Sequence, residues 1–232
     1  MIKKAIILAA GFGTRLKPLT DSTPKALVPF RNGTMISYQI EKLKGYGITD
    51  ITVNAHHFAE QVEKYFSENH FGVSINVIKE EVILGTGGGI LNAEKYLDDG
   101  SNAAFLAINV DVFTDFDFKK IINYHISSAN LATLLVQKRK TSRYLELDKK
   151  MELTGRVKCE TPEYNFFAFN GVHLISNEIF RLGYPVKYLD IIDIYLDAER
   201  MHGRTVKGYD AGESLFEDIG KINAYEKFKS GD

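Results

Sequence analysis

Residues 8–29, which read LAAGFGTRLKPLTDSTPKALVP, decide how the rest of this chain is interpreted. The apolar run at residues 5–9 predicts a buried parallel strand, and Gly11 and Gly13 stand where that strand should turn. Small residues at a strand end let backbone N–H groups approach phosphate oxygens, because no Cβ stands in the way. The stretch therefore predicts a strand followed by an anion-binding loop.

Two cations in the same stretch suit a polyphosphate chain. Arg15 offers a planar fork to two phosphate oxygens, and Lys25, held by the stiff backbone of Pro24, adds a compact point charge. The pattern is neither a P-loop, since no G-K-[ST] follows Gly11 at the required spacing, nor a dinucleotide fingerprint, since Leu16 occupies the third glycine position. From these residues alone, a tight turn with solvated charges remains an alternative.

Composition describes an ordinary globular protein of 232 residues, with 44% hydrophobic and 25% charged residues and a net charge of −1. Lys and Arg are scattered, so we expect no nucleic-acid partner. The single cysteine, Cys159, cannot form an internal disulfide and has no activating partner beside it in the sequence, which favours a reducing compartment and argues against a catalytic thiol. We expect a cytoplasmic monomer or homodimer that does not bind membranes, because the apolar N-terminus is too short for a signal peptide.

Apolar runs alternate with amphipathic segments in the manner of a doubly wound α/β fold with a mostly parallel, Rossmann-like sheet flanked by helices. Residues 103–110 form the clearest central strand, and Asp111 follows it. Because ligands in open α/β sheets bind at the carboxyl ends of the strands, Gly11 and Asp111 should lie at the same edge. Further strands are predicted at residues 131–136 and 166–175, and helices near residues 36–43 and 189–196.

We predict a single domain over residues 1–232. Its nucleotide-binding half covers about residues 1–115 and its acceptor half about residues 116–232. The run at residues 84–89, LGTGGG, is predicted to be a loop where the backbone approaches a ligand, because four glycines in five positions would weaken a strand. No internal repeat or low-complexity linker interrupts the chain.

Four positions are open to more than one interpretation from the residues alone. Asp111 could hold Mg²⁺ against a triphosphate or cap the turn before Thr114, and Asp218 could cap a helix. His56 and His57 invite a metal interpretation, but adjacent side chains point apart and no third ligand is evident, which favours a structural role.

The complete string at residues 8–29 resembles the signature of the sugar-1-phosphate nucleotidyltransferases. These enzymes join a nucleoside triphosphate to a sugar 1-phosphate and release pyrophosphate. The resemblance implies a GT-A-like fold and direct in-line transfer without a covalent enzyme intermediate. It also implies that Arg15 supports the leaving pyrophosphate, that Lys25 lies near the reacting phosphates and that the small-residue loop binds base and phosphates. The implied nucleotide-binding residues are Ala9, Ala10, Gly11, Gly13, Thr14, Arg15, Lys25, Glu81, Gly85 and Asn109.

Two further segments resemble the same family. Residues 109–118, NVDVFTDFDF, look like its metal-binding segment, and residues 216–220, FEDIG, look like the element whose aspartate completes the metal site. The resemblance implies that Asp111, which is also the third catalytic residue, and Asp218 hold Mg²⁺. Relatives generally have glycine before the first aspartate, where this chain has Val110, so we expect Val110 to affect the ribose contacts.

The acceptor side is implied by the same resemblance. Gly87, Asn170 and Gly171 match sugar-binding positions, whereas Lys158 fits the spacing poorly and is interpreted as a solvated lysine. The glycine-rich run resembles most closely the short uridylyltransferases for N-acetylmuramate 1-phosphate, which act in cell-wall recycling. Guanylyltransferases for mannose or heptose 1-phosphate, a cytidylyltransferase for phosphocholine and a catalytically silent nucleotide-sugar regulator are the alternatives. Larger relatives carry a C-terminal β-helix of hexapeptide repeats, and we expect none here.

Overall fold

The computed structural model describes residues 2–101, 103–158 and 165–230. The strands are β1 (Lys4–Leu8), β2 (Pro29–Phe30), β3 (Gly33–Thr34), β4 (Asp50–Ala55), β5 (Ser74–Lys79), β6 (Ala104–Asn109), β7 (Val112–Thr114), β8 (Ala132–Gln137), β9 (Tyr144–Leu147), β10 (Leu153–Val157), β11 (Phe166–Ser176), β12 (Val206–Asp210) and β13 (Phe216–Asp218). The α-helices are α1 (Met35–Gly45), α2 (Ala59–Glu68), α3 (Gly85–Asn92), α4 (Glu94–Leu97), α5 (Phe118–Ser128), α6 (Ile191–His202) and α7 (Ile222–Phe228). Short 3-10 helices span Thr14–Leu16, Lys25–Leu27 and Asn177–Leu182.

Among the described residues, one mixed sheet of nine strands runs through both halves of the chain. Its main path has the order β10-β9-β11-β6-β1-β4-β5, and β8 joins β11 to β12. Strands β6, β1, β4 and β5 are parallel to one another, while β11 runs antiparallel to β6, β8 and β9. The predicted α/β fold with a Rossmann-like sheet is confirmed, and the long antiparallel β11 is the element that connects the second half of the chain to the parallel strands.

Helices cover both faces of the sheet, as the alternation along β1 shows. Ala5 and Ile7 pack into a core cluster with buried residues of α1, α2, α5 and α7. Ile6 and Leu8 pack into a second cluster with residues of α3, α4 and α6. Successive strand residues face opposite sides of a sheet, so an almost wholly apolar strand must be covered on both. The two-sided burial of β1 therefore explains why its sequence is a continuous apolar run.

Most predicted elements are found where the sequence places them. The strand predicted at residues 103–110 is β6, the strands at 131–136 and 166–175 are β8 and β11, and the helix at 36–43 is α1. A capping box starts α1, since Thr34 and Ser37 exchange side-chain and backbone hydrogen bonds. The helix predicted near residues 189–196 begins at Ile191 and is α6.

The loop predicted at residues 84–89 is wrong, because Gly85 begins helix α3. This helix packs so closely on the chain before α6 that side chains cannot be accommodated. A Cβ on Gly88 would collide with the carbonyl oxygen of Lys187, and one on Gly87 would lie 3.1 Å from the carbonyl oxygen of Leu189. The glycines serve helix packing at this site, which outweighs their cost of about 1 kcal/mol each in a helix.

Adding a methyl group at Gly88 should therefore destabilise the fold. We expect Gly88→Ala to lower the free energy of unfolding by about 1–3 kcal/mol, the range for overpacking a filled core. Gly45→Ala is the matched control, since nothing lies within 4 Å of a Cβ at Gly45 in α1. Urea unfolding of both variants measures the difference, and equal stabilities would contradict the packing role of Gly88.

Three sequence predictions concern features that this fold does not test. Cys159 lies outside the described residues, so the prediction that it is not a catalytic thiol remains one. Within the described ranges, no helix combines the length and the apolar character that a bilayer crossing requires. The cytoplasmic location and the oligomeric state also remain predictions.

Candidate active site

The loop after β1 brings its backbone next to Lys25, as the glycine spacing predicts. Ala9 and Ala10 are buried, and the backbone N–H of Ala9 donates to Asn54 Oδ1 at 2.8 Å. A Cβ on Gly11 would lie 3.8 Å from Lys25 Nζ. Gly13 has a φ of +65°, and a Cβ there would lie 2.8 Å from the side chain of Thr20 and 3.1 Å from Lys25 Cβ. Thr14, which is exposed, then begins a 3-10 helix.

A cluster of two cations and two carboxylates lies at the carboxyl ends of β1 and β6. Lys25 Nζ donates to Asp111 Oδ2 at 2.9 Å, and Arg15 Nη1 donates to Asp218 Oδ2 at 2.7 Å. Arg15 Nη2 also lies 3.8 Å from Asp111 Oδ2. The structure therefore brings all four predicted catalytic and metal-binding side chains together, although residues 15 and 218 are far apart in sequence. Their chemical roles remain predictions.

Asp111 is buried and its charge is compensated. Burial alone would raise the pKa of its carboxyl group, but the Lys25 ammonium at hydrogen-bond distance and the Arg15 guanidinium hold that pKa below its usual value of 3.8. Asp111 is therefore ionised at neutral pH. The buried amide of Gln39 fixes the backbone on both sides of it, since Nε2 donates to the carbonyl oxygens of Val110 and Val112 at 3.2 and 2.5 Å.

The side chain of Val110 is fully buried in the hydrophobic core. The departure from glycine at this position therefore places no methyl group in the cavity beside Asp111. The expected effect of Val110 on ribose contacts finds no support in this packing.

The pair of carboxylates is suited to a hard cation. Asp218 ends β13, which pairs antiparallel with β7 and so lies beside Asp111. A Cβ on Gly220 would collide with Asp111 Oδ2 and lie 2.9 Å from Asp218 Oδ1, so the two carboxylates converge on a space that only glycine leaves open. Among the described residues there is no group of three or more potential metal ligands. Mg²⁺ is commonly bound by one or two carboxylates together with substrate phosphates and water, so the residues present fit it.

Two of the three predicted sugar-binding residues, Asn170 and Gly171, line a cavity of about 300 Å³ beside this cluster, whereas Gly87 does not. Gly171 has a φ of +67°, and a Cβ there would lie 2.7 Å from Asn109 Nδ2, so the glycine allows β11 to approach the end of β6. Asn170 is 1% exposed and accepts a hydrogen bond on Oδ1 from Arg139 Nε at 3.1 Å. The cavity residues used below are Arg15, Asn109, Asp111, Arg139, Asn170, Phe216 and Asp218.

Sequence reasoning missed a buried network behind the loop after β1. Asn54 Nδ2 donates to Glu80 Oε1 at 2.7 Å, and the N–H of Leu84 donates to Glu80 Oε2 at 3.0 Å. Because Asn54 also accepts from Ala9, the network joins the loop after β1 to the start of α3. Glu81, the residue that we predicted to contact the nucleotide, is exposed, and its role remains a prediction.

The remaining predicted residues are placed as follows. Gly85 has a φ of +69° at the start of α3, and both it and Gly87 lie against the carbonyl oxygen of Leu189. His56 Nδ1 is 2.8 Å from the carbonyl oxygen of Glu80, which agrees with a structural role. The ring of Phe12, between the two loop glycines, lies 5.6 Å from the rings of both His56 and His57. Lys158 is exposed.

With the site described, comparison with known proteins identifies its class. Residues 4–154 match the family described as nucleotidyl transferase, so the chain belongs to that family. Mannose-1-phosphate guanylyltransferase 1 of Arabidopsis thaliana is 32% identical over 182 residues, which cover 76% of this chain and 50% of that protein. Mannose-1-phosphate guanyltransferase of Gibberella zeae is 40% identical over 137 residues, which cover 58% of this chain and 37% of that protein. The chain thus spans about half the length, or less, of these curated relatives.

The fold is also found in solved structures. HddC from Yersinia pseudotuberculosis, in a structure complexed with GMP-PN, matches with a TM-score of 0.78 over 98% of each chain and is 24% identical. A likeness at this identity concerns the fold. It agrees with the fold implied by the motif at residues 8–29.

Proposed function

We propose that this chain transfers a nucleotidyl group from a nucleoside triphosphate to a sugar 1-phosphate and releases pyrophosphate and a nucleotide sugar. The observation that carries the proposal is the charge cluster of Lys25, Asp111, Arg15 and Asp218. It lies between the loop after β1, which is suited to phosphates, and the cavity beside β11, which is suited to a polar acceptor.

The cluster can reduce the electrostatic repulsion between the two anionic substrates. In the structure each cation pairs with a carboxylate, so the four charges cancel within the site. A triphosphate can take over Arg15 and Lys25 while the two carboxylates take up a cation, so each of the four charged side chains keeps an opposite charge beside it. Asp111 and Asp218 would hold Mg²⁺, which when bound would neutralise charge on the phosphates.

The residues would act by position and charge. An oxygen of the acceptor phosphate attacks the α-phosphorus, the bond to the β-phosphate breaks, and its electron pair leaves with pyrophosphate. Lys25 is held by Asp111 close to the Gly11 backbone, where it can neutralise the triphosphate, and Arg15 can support the leaving group. Transfers of this kind need positioning and electrostatic stabilisation more than covalent help.

We propose guanine as the base and a hexose or heptose 1-phosphate as the acceptor. The support is the identity of 32% and 40% to two mannose-1-phosphate guanylyltransferases. The competing pair is UTP with N-acetylmuramate 1-phosphate, which the glycine-rich run favours by resemblance. That run now has a packing role in α3, so its glycines carry less information about the substrate.

A pyrophosphate-release screen with Mg²⁺ tests the proposal. UTP, GTP, CTP and dTTP are each combined with N-acetylmuramate, mannose, glucose and heptose 1-phosphates and with phosphocholine. Release with GTP and mannose or heptose 1-phosphate is the expected result. Release only with UTP and N-acetylmuramate 1-phosphate, or only with CTP and phosphocholine, would overturn the substrate assignment. No release with any combination would favour the catalytically silent nucleotide-sugar regulator.

A further inference from the structure

Uncharged groups hold the side chain of Arg139 beside the cavity that Asn170 lines. It follows β8 and is half-buried, and its guanidinium donates from Nε to Asn170 Oδ1 at 3.1 Å and from Nη2 to the carbonyl oxygen of Phe169 at 2.9 Å. Its Cζ lies 4.1 Å from the centre of the Phe216 ring. Two neutral acceptors and an aromatic face therefore fix the plane of the guanidinium.

This fixed cation has no anionic partner of its own. Within residues 2–101, 103–158 and 165–230, no carboxylate forms an ion pair with Arg139, and Nη1 makes no hydrogen bond. Burial lowers the pKa of Arg139 despite the opposing charges of Asp218 and Glu217, yet a guanidinium stays protonated at neutral pH. A half-buried charge without a direct ion pair is costly, which favours the binding of an anion next to it.

The position of Arg139 relative to the charge cluster identifies that anion. Phe216 and Asp218 are two residues apart on β13, so their side chains share a face and lie about 7 Å apart along the strand. Arg139, which packs on the Phe216 ring, therefore lies about this distance along the strand from the Asp218 carboxylate. In the proposed function, that carboxylate borders the reacting phosphates. Arg139, Asp111 and Asp218 line the same cavity.

Asn170 provides a second, independent observation. Its side chain is 1% exposed, and Nδ2 is buried without a hydrogen-bond partner, although Asn170 lines the same cavity. Because Oδ1 accepts from Arg139, the orientation of the amide is fixed, and Nδ2 is the donor that remains without a partner. An unpaired buried donor beside an uncompensated cation is complementary to an oxygen-rich anion.

We infer that Arg139 binds the phosphate of the acceptor and holds Asn170 with its amide donor directed to an oxygen of the same substrate. This inference rests on the proposed function and adds an acceptor-binding residue that the sequence motifs do not include. Arg139 does not contact the triphosphate loop, so its contribution is specific to the acceptor.

The test compares Arg139→Met with Lys140→Met, a matched removal of charge at the next residue, which is exposed and does not line the cavity. With GTP and mannose 1-phosphate, Arg139→Met should raise the KM for mannose 1-phosphate about ten- to hundredfold and leave the KM for GTP within about twofold, as expected for loss of a charge-assisted hydrogen bond. Arg139→Lys, which keeps the charge and loses the fork, should recover only part of the loss. Lys140→Met should behave as the wild type.

Direct binding separates failure of this inference from failure of the proposed function. Orthophosphate is titrated calorimetrically into the wild type and each variant with GTP present, and circular dichroism verifies that each variant is folded. If the wild type shows no turnover with GTP and mannose 1-phosphate, the proposed substrates are wrong, yet weaker orthophosphate binding by Arg139→Met alone still supports the anion site. Equal orthophosphate binding by wild type and Arg139→Met, or an equal loss for both substrates, would overturn the role of Arg139.

Discussion

Replacing Asp111 by asparagine should reduce kcat at least about 10³-fold, the upper range for removal of one preorganised electrostatic group. Asparagine keeps the shape of the side chain and can still accept a hydrogen bond from Lys25, which lies 2.9 Å from Oδ2. What it removes is the negative charge that, together with Asp218, can hold a cation against the phosphates. The variant should therefore fold, bind the sugar phosphate and fail in turnover.

The control for this variant is Glu217→Gln. Glu217 precedes Asp218 on β13, so its side chain faces the opposite side of the strand, and it does not line the cavity. Steady-state pyrophosphate release measures both variants, and thermal unfolding verifies that each is folded. Turnover of Asp111→Asn within about tenfold of the wild type would contradict the role of Asp111.

Lys25→Met should lower kcat/KM for the nucleotide by a factor of about 10² to 10³ and should also destabilise the fold. The side chains of Lys25 and Asp111 are only 13% and 9% exposed, so removing the ammonium leaves a buried carboxylate with the more distant Arg15 as its partner. Loss of one partner from such a pair costs about 3 kcal/mol. The same substitution raises the pKa of Asp111, because burial is then opposed only by the charge of Arg15 and by a backbone hydrogen bond.

The sign of the pH dependence follows from that pKa. In the wild type the pKa of Asp111 is lowered on folding, so its stabilising contribution is present above the unfolded value of about 3.9 and is lost as the pH falls through the folded value. In Lys25→Met the buried carboxylate destabilises the fold while it is ionised. The difference in unfolding free energy between wild type and variant should therefore shrink as the pH falls from 7 to below about 4.

A double variant gives the control for this second prediction. Lys25→Met combined with Asp111→Asn removes both charges, so it should recover most of the lost stability without recovering activity. Urea unfolding at pH 7 measures the stability of the single and double variants. A double variant as unstable as Lys25→Met, or a pH-independent difference, would contradict the buried ion pair as the source of the effect.

Local pattern was sufficient to predict where the phosphate loop and Asp111 lie. A continuous apolar run must be covered on both faces, and parallel strands end at a common edge, so Gly11 and Asp111 had to approach each other. That Asp218 lies beside Asp111 followed only from the family resemblance, because no local rule joins residues so far apart in sequence. That the cations and carboxylates pair with each other was not predicted, since the motifs assign each to a different ligand.

Other features depend on packing that a single sequence does not reveal. Glycines at residues 85 and 87–89 suggest a loop that approaches a ligand, whereas they form a helix whose missing side chains let Lys187 and Leu189 approach. Glu80 and Glu81 are neighbouring residues of the same type, so the sequence does not show which one is buried. The register of the chain after β5 places Glu80 against Asn54. Arg139 belongs to no motif, and its partners Asn170 and Phe216 come from two distant strands.

The central claim is that the charge cluster joins two substrates directly, and its most direct test is the dependence of pyrophosphate release on both of them. The purified chain is mixed with Mg²⁺ and the most active triphosphate, with and without the matching sugar 1-phosphate, and pyrophosphate and nucleotide sugar are measured together. We predict pyrophosphate only when both substrates are present, in equal amount to the nucleotide sugar. Release from the triphosphate alone, or no release with any acceptor, would contradict direct nucleotidyl transfer at this site.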